Sequence, residues 1–209
     1  AGQATGEYCT RNVGGWTVHV NRQLLAKEEL CQRTLGLLAR QLAEIERMVP
    51  AKPRGELQKI PFWLELADPR HPCACYHISP EWLKENGFSV DKAGAVEIAN
   101  AENFLSWTKQ QPWMVLHELT HGYHDRVLTH EYAPLRDCYR AAMKEKRYDS
   151  VLDYAGRRRR AYAANNVEEY FAEATEAFFG TNDFYPFVRP ELREHDAELY
   201  RVLERIWAN

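Results

Sequence analysis

No apolar run in the sequence approaches the length of a membrane span, and neither sign of charge dominates. The uncharged hydrophobic stretches fall far short of the roughly 20 residues that cross a bilayer, so we expect a soluble protein without a membrane span. The formal net charge is -3 at pH 7, which argues against nucleic acid or an anionic membrane as an obligatory partner. Internal repeats and low-complexity linkers are also lacking. These absences favour a compact soluble protein.

The sequence also lacks any segment whose amino-acid composition clearly differs from that of the rest of the chain. The 209 residues contain 45% hydrophobic amino acids, which is enough for one sizeable core. We therefore predict a single domain over residues 1–209. The chain begins at Ala1 rather than Met and shows no hydrophobic signal region. Because this suits a mature form trimmed after export, we expect a secreted or exported protein, with a cytoplasmic location as the alternative.

Cysteines are few, and their number is odd. The five are Cys9, Cys31, Cys73, Cys75 and Cys138, so at least one is free or bonded between chains. Cys73 and Cys75 are separated by one residue, which is not the Cys-x-x-Cys spacing of structural zinc, and no second pair follows. We favour alternating residues of a strand with one thiol facing inward. Export with one or two disulfides, among them Cys9 with Cys31, is the alternative.

The hydrophobic pattern divides the chain into an early mixed part and a later helical part. Alternating residues predict four strands, within 16–21, 60–66, 73–79 and 95–100. Apolar residues at helical spacing predict a long helix over 23–49, and beyond residue 100 we predict only helices and loops. A strand, helix, strand start favours a parallel pair joined by a right-handed crossover. We expect an α+β fold in which a small mixed sheet packs on helices.

One short motif indicates the chemistry. The predicted helix 112–128 contains His117-Glu118-Leu119-Thr120-His121, in which the two histidines lie one turn apart on a shared face. Two imidazoles at this spacing can hold one metal ion at about 2 Å from each nitrogen. Glu118 is rotated off that face, which keeps it out of the ligand set and near a metal-bound water, where a general base belongs. A chance match on a solvated helix is the alternative.

A catalytic zinc site needs a third protein ligand. His124 is nearest in sequence, but it lies too far along the same straight helix to share a tetrahedral ion, so we expect it in solvent or at the rim of a cleft. Residues 161–180 predict a second helix, on which Glu169, Glu173 and Glu176 follow one another at one-turn intervals beside aromatic residues. A carboxylate in such surroundings needs a cation.

The two segments together resemble the gluzincin class of zinc peptidases. The His-Glu-x-x-His motif followed by a downstream Asn-x-x-Glu-Tyr-Phe-Ala-Glu helix is most similar to the catalytic domain of anthrax toxin lethal factor and its relatives. The resemblance covers roughly residues 112–180. It implies a zincin-like fold, one zinc ion per chain, and a metalloendopeptidase that hydrolyses peptide bonds in peptide or protein substrates.

The resemblance also implies a role for each residue of the centre. His117, His121 and Glu169 are the expected zinc ligands. Glu118 is the expected general base, which takes a proton from the attacking water and passes it to the leaving amine. Glu173 matches a carboxylate that lies behind the ligands and steadies one of the histidines.

Residues around this centre leave alternatives open. Tyr162 matches a tyrosine that donates to the developing oxyanion, and Tyr154 competes for that role. Asp125, four residues after His121, is either a second acceptor behind that ring or a surface charge. The arginines of 157–160 bind acidic substrate residues or, as we favour, form a solvated loop.

The substrate-binding strand and the function of the protein each have an alternative. Either the strand within 73–79 or that within 95–100 is expected to pair with an extended substrate through backbone hydrogen bonds. The alternative function is a zinc-binding, toxin-like effector or interaction module without turnover. That alternative requires a blocked cleft or a disabled base, whereas Glu118 is intact.

Overall fold

The computed structural model describes residues 7–208, so residues 1–6 and 209 of the predicted domain lie outside the described part. The elements up to residue 107 are β1 (Tyr8–Val13), β2 (Trp16–Asn21), α1 (Arg22–Leu25), α2 (Glu28–Met48), α3 (Ala51–Leu57), β3 (Phe62–Leu64), β4 (Ala74–His77), α4 (Pro80–Glu85), β5 (Ala95–Ile98) and α5 (Ala101–Trp107). The later elements are α6 (Met114–Tyr123), α7 (Ala133–Lys144), β6 (Val151–Leu152), β7 (Arg158–Arg159), α8 (Val167–Phe179), α9 (Arg189–His195) and α10 (Ala197–Ile206). The predicted α+β class is confirmed.

The sheet is mixed, with strand order β1-β2-β3-β5-β4. β2, β3 and β5 are parallel, while β1 and β4 run antiparallel along the two edges. The predicted parallel pair is confirmed as β2 and β3, which are joined through α2. β1 was not predicted, because its side chains are mostly exposed and polar. Its hairpin turns through Gly14 and Gly15, whose φ angles of +59° and +91° favour glycine.

The long helix predicted over 23–49 is divided into α1 and α2. The Asn21 side chain accepts a hydrogen bond from Gln23 N at 2.8 Å and caps α1. α2 runs for 21 residues and buries one stripe of side chains. Among the helices of residues 7–208, none is both long and apolar enough to cross a membrane.

The two faces of the sheet differ in chemistry. One face belongs to the hydrophobic core and consists of Val18, Val20, Phe62, Leu64, Val96 and Ile98. The opposite face carries His19, Trp63, Glu97 and Cys75, which lie in register across four adjacent strands. The second face is therefore more polar and includes the buried side chain of Glu97.

Helix α6 lies between the sheet and α8, and contacts β4 and β5 on one side and α8 on the other. It begins at Met114 and continues into a π-helical turn over His124–Leu128. The expectation of helices and loops alone beyond residue 100 is wrong, because β6 and β7 form a small antiparallel hairpin. Each of these strands has two residues, which is too short for an alternating pattern to show.

All five cysteines are free. Cys9 is exposed on β1, whereas Cys31 is buried in α2, so the alternative disulfide between them is not formed. Cys73 is buried just before β4, and Cys75 is partly buried within it. The favoured interpretation of both cysteines on a strand with one thiol facing inward therefore holds for Cys75 as a strand residue, whereas the buried thiol belongs to Cys73, which precedes the strand.

Candidate metal centre

The packing of α6 on α8 brings together three side chains of the predicted zinc site. One donor atom from each of His117, His121 and Glu169 lies within 4.8 Å of the other two. Glu169 Oε2 is 3.0 Å from His117 Nε2 and 3.5 Å from His121 Nε2. Two ligand atoms at zinc-bond length in a tetrahedron lie about 3.3 Å apart, so the observed separations bracket the required value. The residues fit a zinc ion.

Glu169 is fixed at the start of α8. The Asn166 side chain caps the helix by accepting a hydrogen bond from Glu169 N at 2.7 Å. Burial favours the protonated form of Glu169, but hydrogen bonds with His117 and His121 prevail and lower its pKa to about 2. Glu169 is therefore a carboxylate, the form in which a glutamate side chain can bind a metal.

A carboxylate behind His117 orients its ring. His117 Nδ1 lies 2.7 Å from Glu176 Oε1, and Glu176 is completely buried. His117 Nε2 lies 3.0 Å from Glu169 Oε2; with Nδ1 donating to Glu176, a metal ion that replaces the Nε2 proton would meet the lone pair of the ring. Gln111 Nε2 also donates to Glu176 Oε1, at 3.3 Å. Glu176 therefore holds the position that the resemblance gave to Glu173.

Glu173 has a different environment. It is 2% exposed and accepts a hydrogen bond from Asn182 Nδ2 at 3.1 Å. Burial, followed by the neighbouring Asp183 and Glu176, raises the pKa of Glu173 well above its usual range. Burial thus favours the neutral form of Glu173, and the structure shows no hydrogen bond from it to His117 or His121.

Glu118 and Tyr162 face the same cleft, which has a volume of about 660 Å³. Its walls include the three candidate ligands, Glu118, Tyr162, residues 72–76, Arg159 and Arg160. Tyr162 lies in a 3₁₀ turn, Tyr162–Ala164, which packs on α8 and leaves the ring 48% exposed. Burial and the nearby Glu169 raise its pKa, so the phenol keeps its proton and can donate.

Tyr154 does not join this group. Its hydroxyl donates to Gln110 Oε1 at 2.7 Å, and its ring is absent from the described lining of the cleft. Of the two tyrosines considered from the sequence, the structure brings only Tyr162 to the candidate centre.

Asp125 and His124 differ from their expected places. Asp125 accepts a hydrogen bond from Tyr76 Oη at 2.8 Å and lies 3.7 Å from His130 Nε2, so the structure gives it these partners instead of His121. His124 was expected in solvent or at the cleft rim, but it is 1% exposed and packs against Phe171. Burial lowers its pKa to about 4, so its ring is neutral. The π-helical turn that begins at His124 accompanies this inward position.

The arginine run forms part of the cleft wall rather than a free loop. Arg158 and Arg159 make up β7 and are exposed. Arg159 Nε lies 3.4 Å from Asp153 Oδ2, and Arg160 Nη2 donates to the Ala164 carbonyl at 2.6 Å. These contacts connect the arginine run to the segments before and after it. Arg159 and Arg160 nevertheless line the cleft.

The strand that borders the cleft is β4. β4 is an edge strand, whereas β5 lies inside the sheet. Ala74, Cys75 and Tyr76 line the cleft. Of the two strands considered from the sequence, β4 therefore has a free edge beside the candidate centre.

Comparison with known proteins gives no match, since no protein-family model, no curated protein and no solved structure matches the chain. The resemblance to gluzincins consequently depends on the sequence motifs alone. Support for a function comes from the geometry and chemistry of the cleft.

Proposed function

We propose that the chain is a zinc-dependent metalloendopeptidase of the gluzincin type. The observation that carries this proposal is the meeting of His117, His121 and Glu169 within 4.8 Å of one another beside an open cleft. Two histidines and one glutamate form a ligand set used by catalytic zinc sites, in which a fourth position stays free. A zinc ion bound there supplies a Lewis acid that activates water and polarises a carbonyl group.

Residues of the chain itself carry out proton transfer, stabilisation of the developing negative charge and orientation of a candidate ligand. Glu118 lines the cleft and serves as the general base, which accepts a proton from water and delivers it to the leaving amine. Tyr162 is protonated and faces the same space, so its hydroxyl donates to the oxygen on which negative charge develops. Glu176 keeps the His117 ring in one orientation throughout.

The position of β4 supports a peptide as the substrate. An extended chain that enters the cleft meets the outer edge of this strand, which has a sheet neighbour on one side only among the described residues. Adding a strand to a sheet edge requires only backbone hydrogen bonds, which any extended peptide provides. We therefore propose flexible segments of peptides or proteins as substrates.

A zinc-binding module without turnover is the competing function. It requires that the cleft be closed or that the base be missing. The cleft has a volume of about 660 Å³, and Glu118 lies on its wall. Both features support the enzyme.

Chelation and metal return test the proposal. Zinc-loaded protein is expected to cleave an unfolded protein, to lose this activity after treatment with a chelator, and to regain it when zinc is added. Circular dichroism before and after chelation controls for unfolding. Cleavage that persists in folded, zinc-free protein contradicts the proposal.

A further inference from the structure

A second group of metal-binding side chains lies on the polar face of the sheet. One donor atom from each of His71, Cys75 and His77 lies within 4.8 Å of the other two. Cys75 and His77 are two residues apart on β4, so they project from the same face of the strand. His71 comes from the loop before β4, and its ring centroid is 5.7 Å from that of His77. The three donors thus converge from a strand and a loop.

The spacing of these donors suits zinc. Cys75 Sγ lies 3.6 Å from His77 Nε2. Sulfur and nitrogen ligands on a tetrahedral zinc ion, with bonds of about 2.3 and 2.05 Å, are about 3.6 Å apart. A mixed thiolate and imidazole set also favours zinc over magnesium or calcium, which prefer oxygen.

One donor of the cluster has no partner. His71 Nε2 is a buried atom that has no hydrogen-bond partner among the described residues. A buried polar atom without a partner is costly, and a cation beside this atom would supply one.

We infer that His71, Cys75 and His77 form a second zinc site. Glu97 lies beside this group, since it pairs with Cys75 across β5 and β4 and its Oε2 lies 2.6 Å from His77 Nε2, but it is not among the three converging donors. When the ion takes the place of the proton between His77 and Glu97, that proton moves to His77 Nδ1, so the ring binds as a neutral imidazole, and the Cys75 thiol proton is released to solvent. The chain then holds two zinc ions, one more than the sequence resemblance implies.

The surroundings are those of a structural rather than a catalytic site. The rings of Trp82 and Phe88 pack around the two histidines, at centroid distances from His71 of 6.2 and 5.2 Å. The ion ties the loop before β4 to the sheet, and therefore fixes the edge strand that borders the cleft.

Cobalt substitution tests this site separately from the catalytic one. A thiolate bound to Co²⁺ gives a charge-transfer absorption, which the His117, His121 and Glu169 set cannot give because it contains no sulfur. Wild-type protein titrated with Co²⁺ under reducing conditions is expected to bind two ions and to show this absorption. A protein with both His117→Ala and His121→Ala is expected to bind one ion and keep the absorption.

Variants of the second site give the complementary result. Cys75→Ser is expected to bind one ion without the thiolate absorption, and His71→Gln, at a half-buried loop position, is expected to weaken the absorption strongly. Cys9→Ser is the control, because Cys9 is exposed on β1 and its loss leaves the absorption unchanged. Wild-type protein that binds a single ion without the thiolate absorption overturns the inference. An absorption that survives both Cys75→Ser and His71→Gln in folded protein overturns it as well.

Discussion

At the residue scale, the candidate centre depends on which carboxyl group contacts the candidate ligand His117. Glu176 meets His117 Nδ1 at 2.7 Å, whereas Glu173 bonds to Asn182 and has a pKa raised by burial. A charged partner behind a ligand histidine increases the basicity of the ring and fixes its orientation. A neutral acid has no such effect.

Exchanging these two acids for amides separates their roles. Glu176→Gln is expected to weaken zinc binding about 10 to 100-fold, as for other partners of ligand histidines. Glu173→Gln, which replaces a neutral acid by a neutral amide, is expected to leave the affinity unchanged. Competition with a chelator measures both. The reverse order would restore Glu173 to the role that the sequence resemblance gave it.

The oxyanion donor is tested by removing one hydroxyl group. Tyr162→Phe is expected to lower kcat about 10² to 10³-fold, because one donor to the developing charge is lost. Zinc content should be unchanged. Tyr154→Phe is the matched control, since this hydroxyl is bonded to Gln110 away from the cleft lining. Equal losses in the two variants would remove the distinction between the tyrosines.

The sequence predicts the candidate ligand residues but not all of the side chains that contact them. His117 and His121 are linked by local helical spacing, so the motif alone predicts them. The choice between Glu173 and Glu176 depends on how α8 is rotated against α6. From Glu169, seven residues return to nearly the same side of a helix, within about 20°, while four residues leave an offset of about 40°. Only the packing of the two helices shows which one meets His117.

At the scale of elements, the ends of α6 and α8 are joined by one close contact. Trp113 precedes α6, and Gly180 follows α8. A Cβ atom added to Gly180 would lie 1.8 Å from Trp113 Cε2. The indole ring occupies the space of the missing side chain, so the glycine permits this close approach at the ends of the two helices that carry the candidate zinc ligands.

Filling that space tests the contact. Gly180→Ala is expected to lower the free energy of unfolding by about 1 to 3 kcal/mol through overpacking, and to weaken zinc binding as α8 shifts. Gly36→Ala in α2 is the control, because a Cβ there meets nothing within 4 Å, and alanine should add about 0.5 to 1 kcal/mol in a helix interior. Urea denaturation measures both. A Gly180→Ala protein as stable as the wild type would exclude the steric role of the glycine.

The sequence predicts best those helices and strands whose burial produces a regular pattern of hydrophobic residues. Three parallel strands and the long helix α2 alternate or repeat in hydrophobicity, and they were found. β1 is a mostly exposed edge strand, so its sequence carries no such signal. The inward position of His124 was also missed, because a π-helical turn changes the direction of a side chain without changing the residue pattern.

At the scale of the whole molecule, the sheet separates an apolar region from a region with buried charged side chains. Its apolar face belongs to the core, while its other face buries Lys92 between Glu65 and Glu97. β4 belongs to both regions, since it borders the cleft and carries Cys75 and His77. The cleft itself forms where this edge strand, α6, α8 and the β6–β7 hairpin segment meet.

The most direct measurement of the proposed activity compares wild-type protein with Glu118→Gln at equal zinc content. Both proteins are incubated with a peptide library, and mass spectrometry identifies new termini. The amide keeps the shape of the side chain but cannot accept a proton, so cleavage should fall about 10² to 10⁴-fold, the usual contribution of a general base. Cleavage by the wild type that is lost in Glu118→Gln is the predicted result. Equal cleavage by the two proteins, or none by the zinc-loaded wild type, would contradict the assignment of this centre as a peptidase.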